Sequence, residues 1–358
     1  MISRSGSLLR SAAYFGIGLA SAAAAMVTTR SQRRSRWASG KVVVITGGSR
    51  GLGLALAEEF ARRGSRLVLA ARDQAELVRA RRQLLERKLV RAEEDVLLVA
   101  ADLRDSAGAE RLIAEATSRF GYVDLLINNA GVITVGPVEN QSLEQFRDVM
   151  DSNFYTGLHC TMAVLPQMLQ RGEGSIANIA SIGGRVAVPH LLPYTASKFA
   201  VVGFSEGLGM ELRAKGIRVT TICPGLMRTG SHRHAIFSGD AEREYRWFSM
   251  AANLPGASAS ASAAARKIAN GIANGAAEIT ITPQAWLASR FGNFSPELKR
   301  LVMATAMKAL PDPVEGHPEG RRGEDVRGLE PLPASTIGSY AARRYNETGA
   351  MGAWPGSS

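Results

Sequence analysis

A run of four β-branched residues, Val42 to Ile45, leads directly into Thr46-Gly47-Gly48-Ser49-Arg50-Gly51-Leu52-Gly53. Helical periodicity then fills residues 52–63. A strand that breaks into closely spaced glycines and re-emerges as a helix must reverse direction within a few residues. Gly47, Gly51 and Gly53 can take backbone angles closed to other residues and leave room for a ligand. The helix that follows aims free N–H groups and the positive end of its dipole into that room, which suits a phosphate. Ser49, Arg50 and Leu52 complete the loop as candidate contacts.

The same alternation continues for more than two hundred residues. Strand patterns occupy residues 42–45, 66–71, 96–101, 123–128, 175–180, 217–222 and 278–282, with helical periodicity in the gaps, as at 73–90 and 107–120. Strands and helices at this spacing imply right-handed crossovers and an α/β fold, a doubly wound parallel sheet with helices on both faces. With 358 residues, 46% of them hydrophobic, the chain can bury one large core and carry appendages. The sheet domain is expected at residues 38–285, with no internal repeat. The Ala/Ser stretch from Gly256 to Ala265 reads as the start of a helix. Residues 286–310 read as one or two amphipathic helices. The tail, 311–358, is rich in Pro, Gly and mixed charge and is expected to be disordered.

The formal charge of +11 is unevenly placed. Residues 1–36 hold six arginines and no acid, so the remaining 322 residues carry only +5. No nucleic-acid module is visible, and no nucleic-acid partner is expected. Between Arg10 and Arg30, residues 11–29 are uncharged and rich in Ala, long enough to cross a bilayer but only weakly apolar. Residues 1–37 therefore read as a basic, hydrophobic segment. A single membrane anchor, a cleaved export signal and a peripheral arm compete for it. The heavier positive charge after the segment favours a catalytic portion on the cytoplasmic side, whether anchored or free. Cys160 and Cys223 each lie inside an apolar segment, which suggests buried thiols in a reducing compartment.

Three further motifs follow the glycine loop in order: Asn128-Asn129-Ala130-Gly131, Tyr194-Thr195-Ala196-Ser197-Lys198, and Pro224-Gly225 with Thr229. Each stands at or beyond the end of an expected strand. Together they resemble the short-chain dehydrogenase/reductase family in its compact single-domain branch, over roughly residues 40–283. The resemblance implies a Rossmann-type seven-stranded sheet and an NAD(P)-dependent oxidoreductase acting on CH–OH groups.

Tyr194 and Lys198 are four positions apart, one turn along a helix face. A phenol titrates near pH ~10, and a neighbouring ammonium would lower that value. Tyr194 could then act as general acid toward a ketone or base toward an alcohol. The resemblance implies that Ser181, thirteen residues before Tyr194, hydrogen-bonds the substrate oxygen. It implies that Asn153 holds a water in a proton relay with Lys198, and that Lys198 and Tyr194 also meet the nicotinamide ribose. It further implies that Asp102 and Leu103 flank the adenine, that Asn129, Ala130 and Gly131 line the adenosine side, and that Pro224, Gly225 and Thr229 meet the nicotinamide end.

Charge argues the choice of dinucleotide. An acid at the end of the second strand would bind a ribose 2′-hydroxyl and repel a 2′-phosphate. Here Arg72 stands at that point, followed by Asp73, and Arg50 sits in the glycine loop. Two guanidinium groups favour NADP(H); solvated arginines with Asp73 capping the next helix would leave NAD(H) open. His232 and His234 lack further ligands at metal spacing, so no metal is expected. Aromatic residues at 237, 245, 247 and 248 suit either an apolar substrate or ordinary packing. The expected activity is interconversion of a carbonyl and a secondary alcohol, on a lipophilic small molecule, by a homodimer or homotetramer. A nucleotide-binding sensor without catalysis, and a nucleotide-sugar epimerase or dehydratase, are the rivals.

Overall fold

The computed structural model describes residues 37–254, 258–291, 296–316, 319–326 and 334–348. The expected membrane segment at 11–29 lies outside the described residues. Among the described residues, no helix is long and apolar enough to cross a membrane.

Seven strands form one sheet: β1 Val42–Thr46, β2 Arg66–Ala71, β3 Val96–Ala100, β4 Leu125–Asn128, β5 Gly174–Ile179, β6 Ile217–Cys223 and β7 Glu278–Thr280. All are parallel, in the order β3-β2-β1-β4-β5-β6-β7. The helices are α1 Gly51–Arg62, α2 Gln74–Glu86, α3 Ser106–Phe120, α4 Leu143–Met150, α5 Thr156–Arg171, α6 Leu192–Leu212, α7 Ala241–Asn253, α8 Ala261–Ala273, α9 Pro283–Phe291, α10 Pro296–Met307 and α11 Ala334–Arg344. Successive β1 side chains point to opposite faces. Val43 and Ile45 pack with α1, α2 and α8, whereas Val42 and Val44 pack with α3 and α5. Both faces of β1 are dry, which is why Val42 to Ile45 reads as a continuous apolar run. The order reverses between β1 and β4, so the strand ends there open a crevice. That crevice positions the site.

The Ala/Ser stretch begins its helix later than expected. Ala259–Ser260 first pairs with Met227–Arg228, and Ser260 then caps α8. Trp286, Leu287, Leu301 and Met307 of α9 and α10 are exposed.

The tail, expected to be disordered, is ordered where it is described. Arg321–Arg322 pairs antiparallel with Ile236–Phe237. Ala341 and Ala342 of α11 are buried. Its anchor is electrostatic and long-range. Glu58 of α1 is 1% exposed and accepts two bonds from Arg344, at 2.6 and 2.8 Å. Arg87 at 3.1 Å, Arg62 at 3.2 Å and Gln83 at 2.8 Å complete its ring of donors. Burial alone would raise the Glu58 carboxyl; Arg344, Arg87 and Gln83 outweigh it and hold it below its ordinary value. Breaking a buried pair by removing one charge is costly. Glu58→Gln should therefore lower stability by about 3 kcal/mol, read as a shifted urea midpoint. A carboxyl with a lowered folded pKa stabilises above its unfolded value and loses that contribution as pH falls. The gap between wild type and variant should shrink on acidification below 4.5. A gap independent of pH would contradict this role.

Candidate active site

The loop between β1 and α1 depends on two left-handed glycines, Gly47 at φ +62° and Gly51 at φ +58°. A Cβ on Gly47 would lie 3.0 Å from the Ala130 backbone. Gly53 matters for a different reason. A Cβ there would stand 2.0 Å from the Gly47 carbonyl oxygen, so its absence lets α1 close on the loop. Asn129 fastens the β1 and β4 ends together. Its side chain donates to the Thr46 and Gly47 carbonyls at 2.9 and 3.2 Å, and its N–H donates to Thr46 Oγ1 at 2.9 Å.

A cavity of about 700 Å³ runs from this loop along the strand ends. It brings together Gly47, Ser49, Arg50, Gly51, Leu52, Arg72, Asp102, Leu103, Asn129, Ala130, Gly131, Ser181, Tyr194, Lys198, Pro224, Gly225 and Thr229. Of the expected catalytic and cofactor-binding residues, Gly53 and Asn153 do not line it. Arg50 is not a free clamp. Its guanidinium donates to Glu76 at 2.9 Å and lies 3.6 Å from Glu347. Ser49 also donates to Glu76, at 2.9 Å. Arg72 is exposed, and Asp73 is spent as the α2 cap, accepting the Glu76 N–H at 3.0 Å. Arg104 grips the Asp102 carboxylate at 2.6 Å and holds it below its usual range.

Pro193 opens α6 in its first turn, where a missing N–H costs nothing. Tyr194 and Lys198 follow on this helix. Ser181 stands just past β5, its hydroxyl accepting the Gly183 N–H at 3.0 Å and hydrogen-bonded to Tyr194. Lys198 is buried, its ammonium donating to the Ile179 carbonyl at 3.0 Å and lying 5.7 Å from the Tyr194 ring centre. Burial pushes the Tyr194 phenol up, against the lowering by its bond to Ser181, and pushes Lys198 down to about 8. The net shift on Tyr194 is thus opposite to the lowering expected from a neighbouring ammonium. The reason is burial: desolvation of the phenol outweighs the lowering by Ser181.

Asn153 stands in a π-helical turn, Asp151–Tyr155, between α4 and α5. Such wide turns often mark functional positions. Its carboxamide accepts the Val132 N–H at 2.7 Å and donates to the Val132 carbonyl at 3.1 Å and to Ser197 Oγ at 2.8 Å. Ser197 in turn donates to the Tyr194 carbonyl at 2.7 Å. The side chain therefore ties the loop after β4 to the helix of Tyr194 and Lys198. Gly131 permits this, because a Cβ there would meet Asn153 Oδ1 at 2.7 Å.

Phe237 and Tyr245 are fully buried and belong to a core cluster. Trp247 and Phe248 line the cavity, with Ile133, Val188, Leu191 and Leu226. Glu244 accepts the Trp247 indole N–H at 2.6 Å and pairs with His190 at 2.7 Å, which fixes the indole over the cleft. Cys160 and Cys223 are buried free thiols, pushed up by desolvation to about 12 and about 11. Among the described residues, no group of acids, histidines and cysteines could hold a metal. Glu347 also lines the cavity, and no motif in the sequence pointed to it.

The family model for short chain dehydrogenases matches residues 41–236, over half the chain. The chain belongs to the short-chain dehydrogenase family. Members of this family are nicotinamide-dependent oxidoreductases. A dehydrogenase/reductase SDR family protein 7-like protein of Anopheles gambiae is 36% identical over 207 residues, 58% of this chain and 65% of that protein. A putative ketoacyl reductase of Streptomyces coelicolor is 38% identical over 191 residues, 53% of this chain and 71% of that protein. Among solved structures, the actinorhodin polyketide ketoreductase with NADPH is 30% identical, with a TM-score of 0.59 over 69% of this chain and 97% of that one. A short-chain dehydrogenase from Streptomyces avermitilis is 26% identical, with a TM-score of 0.65 over 76% and 98%.

Proposed function

We propose that the protein interconverts a carbonyl and a secondary alcohol with NADP(H). The observation that carries this is the convergence of Ser181, Tyr194 and Lys198 on the cavity that the glycine loop opens. The residues present fit a dinucleotide. Glycine at 47 and 51 keeps Cβ atoms out of the loop, and Arg72 and Tyr194 border the same cavity. When bound, the nicotinamide supplies or accepts the hydride. Tyr194 gives its proton to the carbonyl oxygen in reduction and takes it back in oxidation. Ser181 holds that oxygen and offers a neutral donor to the charge developing on it. Lys198 meets the nicotinamide ribose. Asn153 fixes the helix on which both stand and carries the relay beyond Lys198.

NADP(H) rather than NAD(H) is supported by Arg72, which follows β2, lines the cavity and can meet a 2′-phosphate. The bound NADPH of the ketoreductase neighbour agrees with it. The apolar wall of Val188, Leu191, Trp247 and Phe248 favours a lipophilic substrate. Exposed Tyr155, Met162, Leu169, Phe199 and Met210, on the π turn, α5 and α6, supply an apolar face for a homodimer or homotetramer. A membrane anchor at 11–29 would suit a lipophilic substrate. The test is turnover: a panel of apolar ketones and secondary alcohols, followed by NADPH and NADH absorbance. At least one ketone should be reduced, roughly tenfold faster with NADPH than with NADH. A panel silent with both nucleotides would contradict the reading.

A further inference from the structure

A carboxylate lies against the glycine loop. A Cβ on Gly51 would lie 2.6 Å from Glu347 Oε1, so a carboxylate oxygen fills the space that the missing side chain opens. Its other oxygen is 3.1 Å from His234 Nε2 and 3.6 Å from Arg50 Nε, and the side chain is 3% exposed. That oxygen has no hydrogen-bonded partner among the described residues, although it is buried. The carboxylate stands beside the start of a twelve-residue helix, where the positive end of the helix dipole favours negative charge, the property that also suits a phosphate.

The seating is built, not incidental. The Gly51 N–H donates to the Tyr345 carbonyl at 2.9 Å. Asn346, at φ +57°, donates to the carbonyls of Ser49 at 2.9 Å and Glu76 at 3.1 Å. Arg79 donates to Asn346 Oδ1 at 3.1 Å. With the Arg344–Glu58 pair beside it, residues 344–347 are tied to Ser49 and Gly51 of the glycine loop, to α1 and to α2.

We propose that residues 344–347 occupy the diphosphate subsite, with Glu347 as an internal competitor that sets cofactor affinity. A carboxylate and a diphosphate would face each other at close range in a cleft shielded from water, where like charges repel strongly. Entry of the dinucleotide therefore displaces this segment, and affinity is reduced by the fraction of molecules in which it is seated. This rests on reading the cleft as a dinucleotide site.

Calorimetric titration of NADPH into the full-length protein and its Glu347→Gln variant tests it. The variant should bind roughly tenfold more tightly, since the amide keeps the shape and loses the charge. Hydrogen exchange of the unmutated protein gives a second reading that needs no variant to fold. On addition of NADPH, peptides spanning 334–348 should exchange faster while those spanning 47–53 become protected. Unchanged or weaker binding by Glu347→Gln, or protection of the tail by NADPH, overturns the competitor and makes Glu347 part of the closed site. Failure of both proteins to bind NADPH or NADH overturns the competitor together with the dinucleotide reading.

Discussion

Replacing Tyr194 with Phe is expected to lower kcat for carbonyl reduction by roughly a thousandfold. The ring stays, so packing around Gly183 and the start of α6 is kept; only the proton donor goes. Ser181 loses its phenol partner but still accepts the Gly183 N–H at 3.0 Å. Affinity for NADPH should be nearly unchanged, because the loop and the β4 end that would hold the nucleotide are untouched. Steady-state kinetics beside a fluorescence titration separates these effects. Retained turnover would refute the role of Tyr194, and loss of binding together with turnover would point to structural damage.

Lys198→Met is expected to fail differently. The methionine fills similar space without charge, so turnover should fall by roughly a hundredfold, and NADPH binding should weaken as well. The pH dependence carries the sharper signature. Lys198 is pushed down to about 8 by burial, so the free protein loses this ammonium within the working range. NADPH affinity should decline as pH rises through about 8 in the unmutated protein, whereas Lys198→Arg, which cannot lose its charge, should show no such decline. The stability effect has the opposite sign. A lysine whose folded pKa lies below its unfolded value opposes folding at neutral pH, and that penalty fades as pH rises from about 8 toward 10.5. Binding and stability should therefore move in opposite directions across the same interval.

Much of the fold was legible because burial on both faces of a parallel sheet leaves continuous apolar runs. All seven strands lie at the positions where those runs occur, with ends shifted by one or two residues. The last strand and the glycine loop were readable for the same local reason. Most of the cavity lining was legible too, because its residues stand at strand ends and in motifs of fixed spacing. What could not be read was order created by distant partners. Arg344 finds Glu58 across 286 positions, and Asn346 finds Ser49 across 297. Composition alone made this tail look unstructured, since Pro, Gly and mixed charge give no periodic apolar face. The direction of the Tyr194 shift was hidden for a related reason: spacing places an ammonium one turn away, but says nothing of the burial that pushes the phenol up. The aromatic stretch forms one buried cluster of Phe237, Tyr245 and Phe248 with Trp247 packed against it, and Phe248 and Trp247 also face the cavity.

The fate of the hydride tests the proposed chemistry most directly. A ketone accepted in the turnover panel would be reduced with NADPH carrying deuterium on the nicotinamide ring, and the alcohol examined by mass spectrometry. Deuterium should be found on the carbinol carbon, with the hydroxyl proton drawn from water through Tyr194. Alcohol free of label with deuterium on either face of the ring, or consumption of NADPH without alcohol, would contradict hydride transfer at this site.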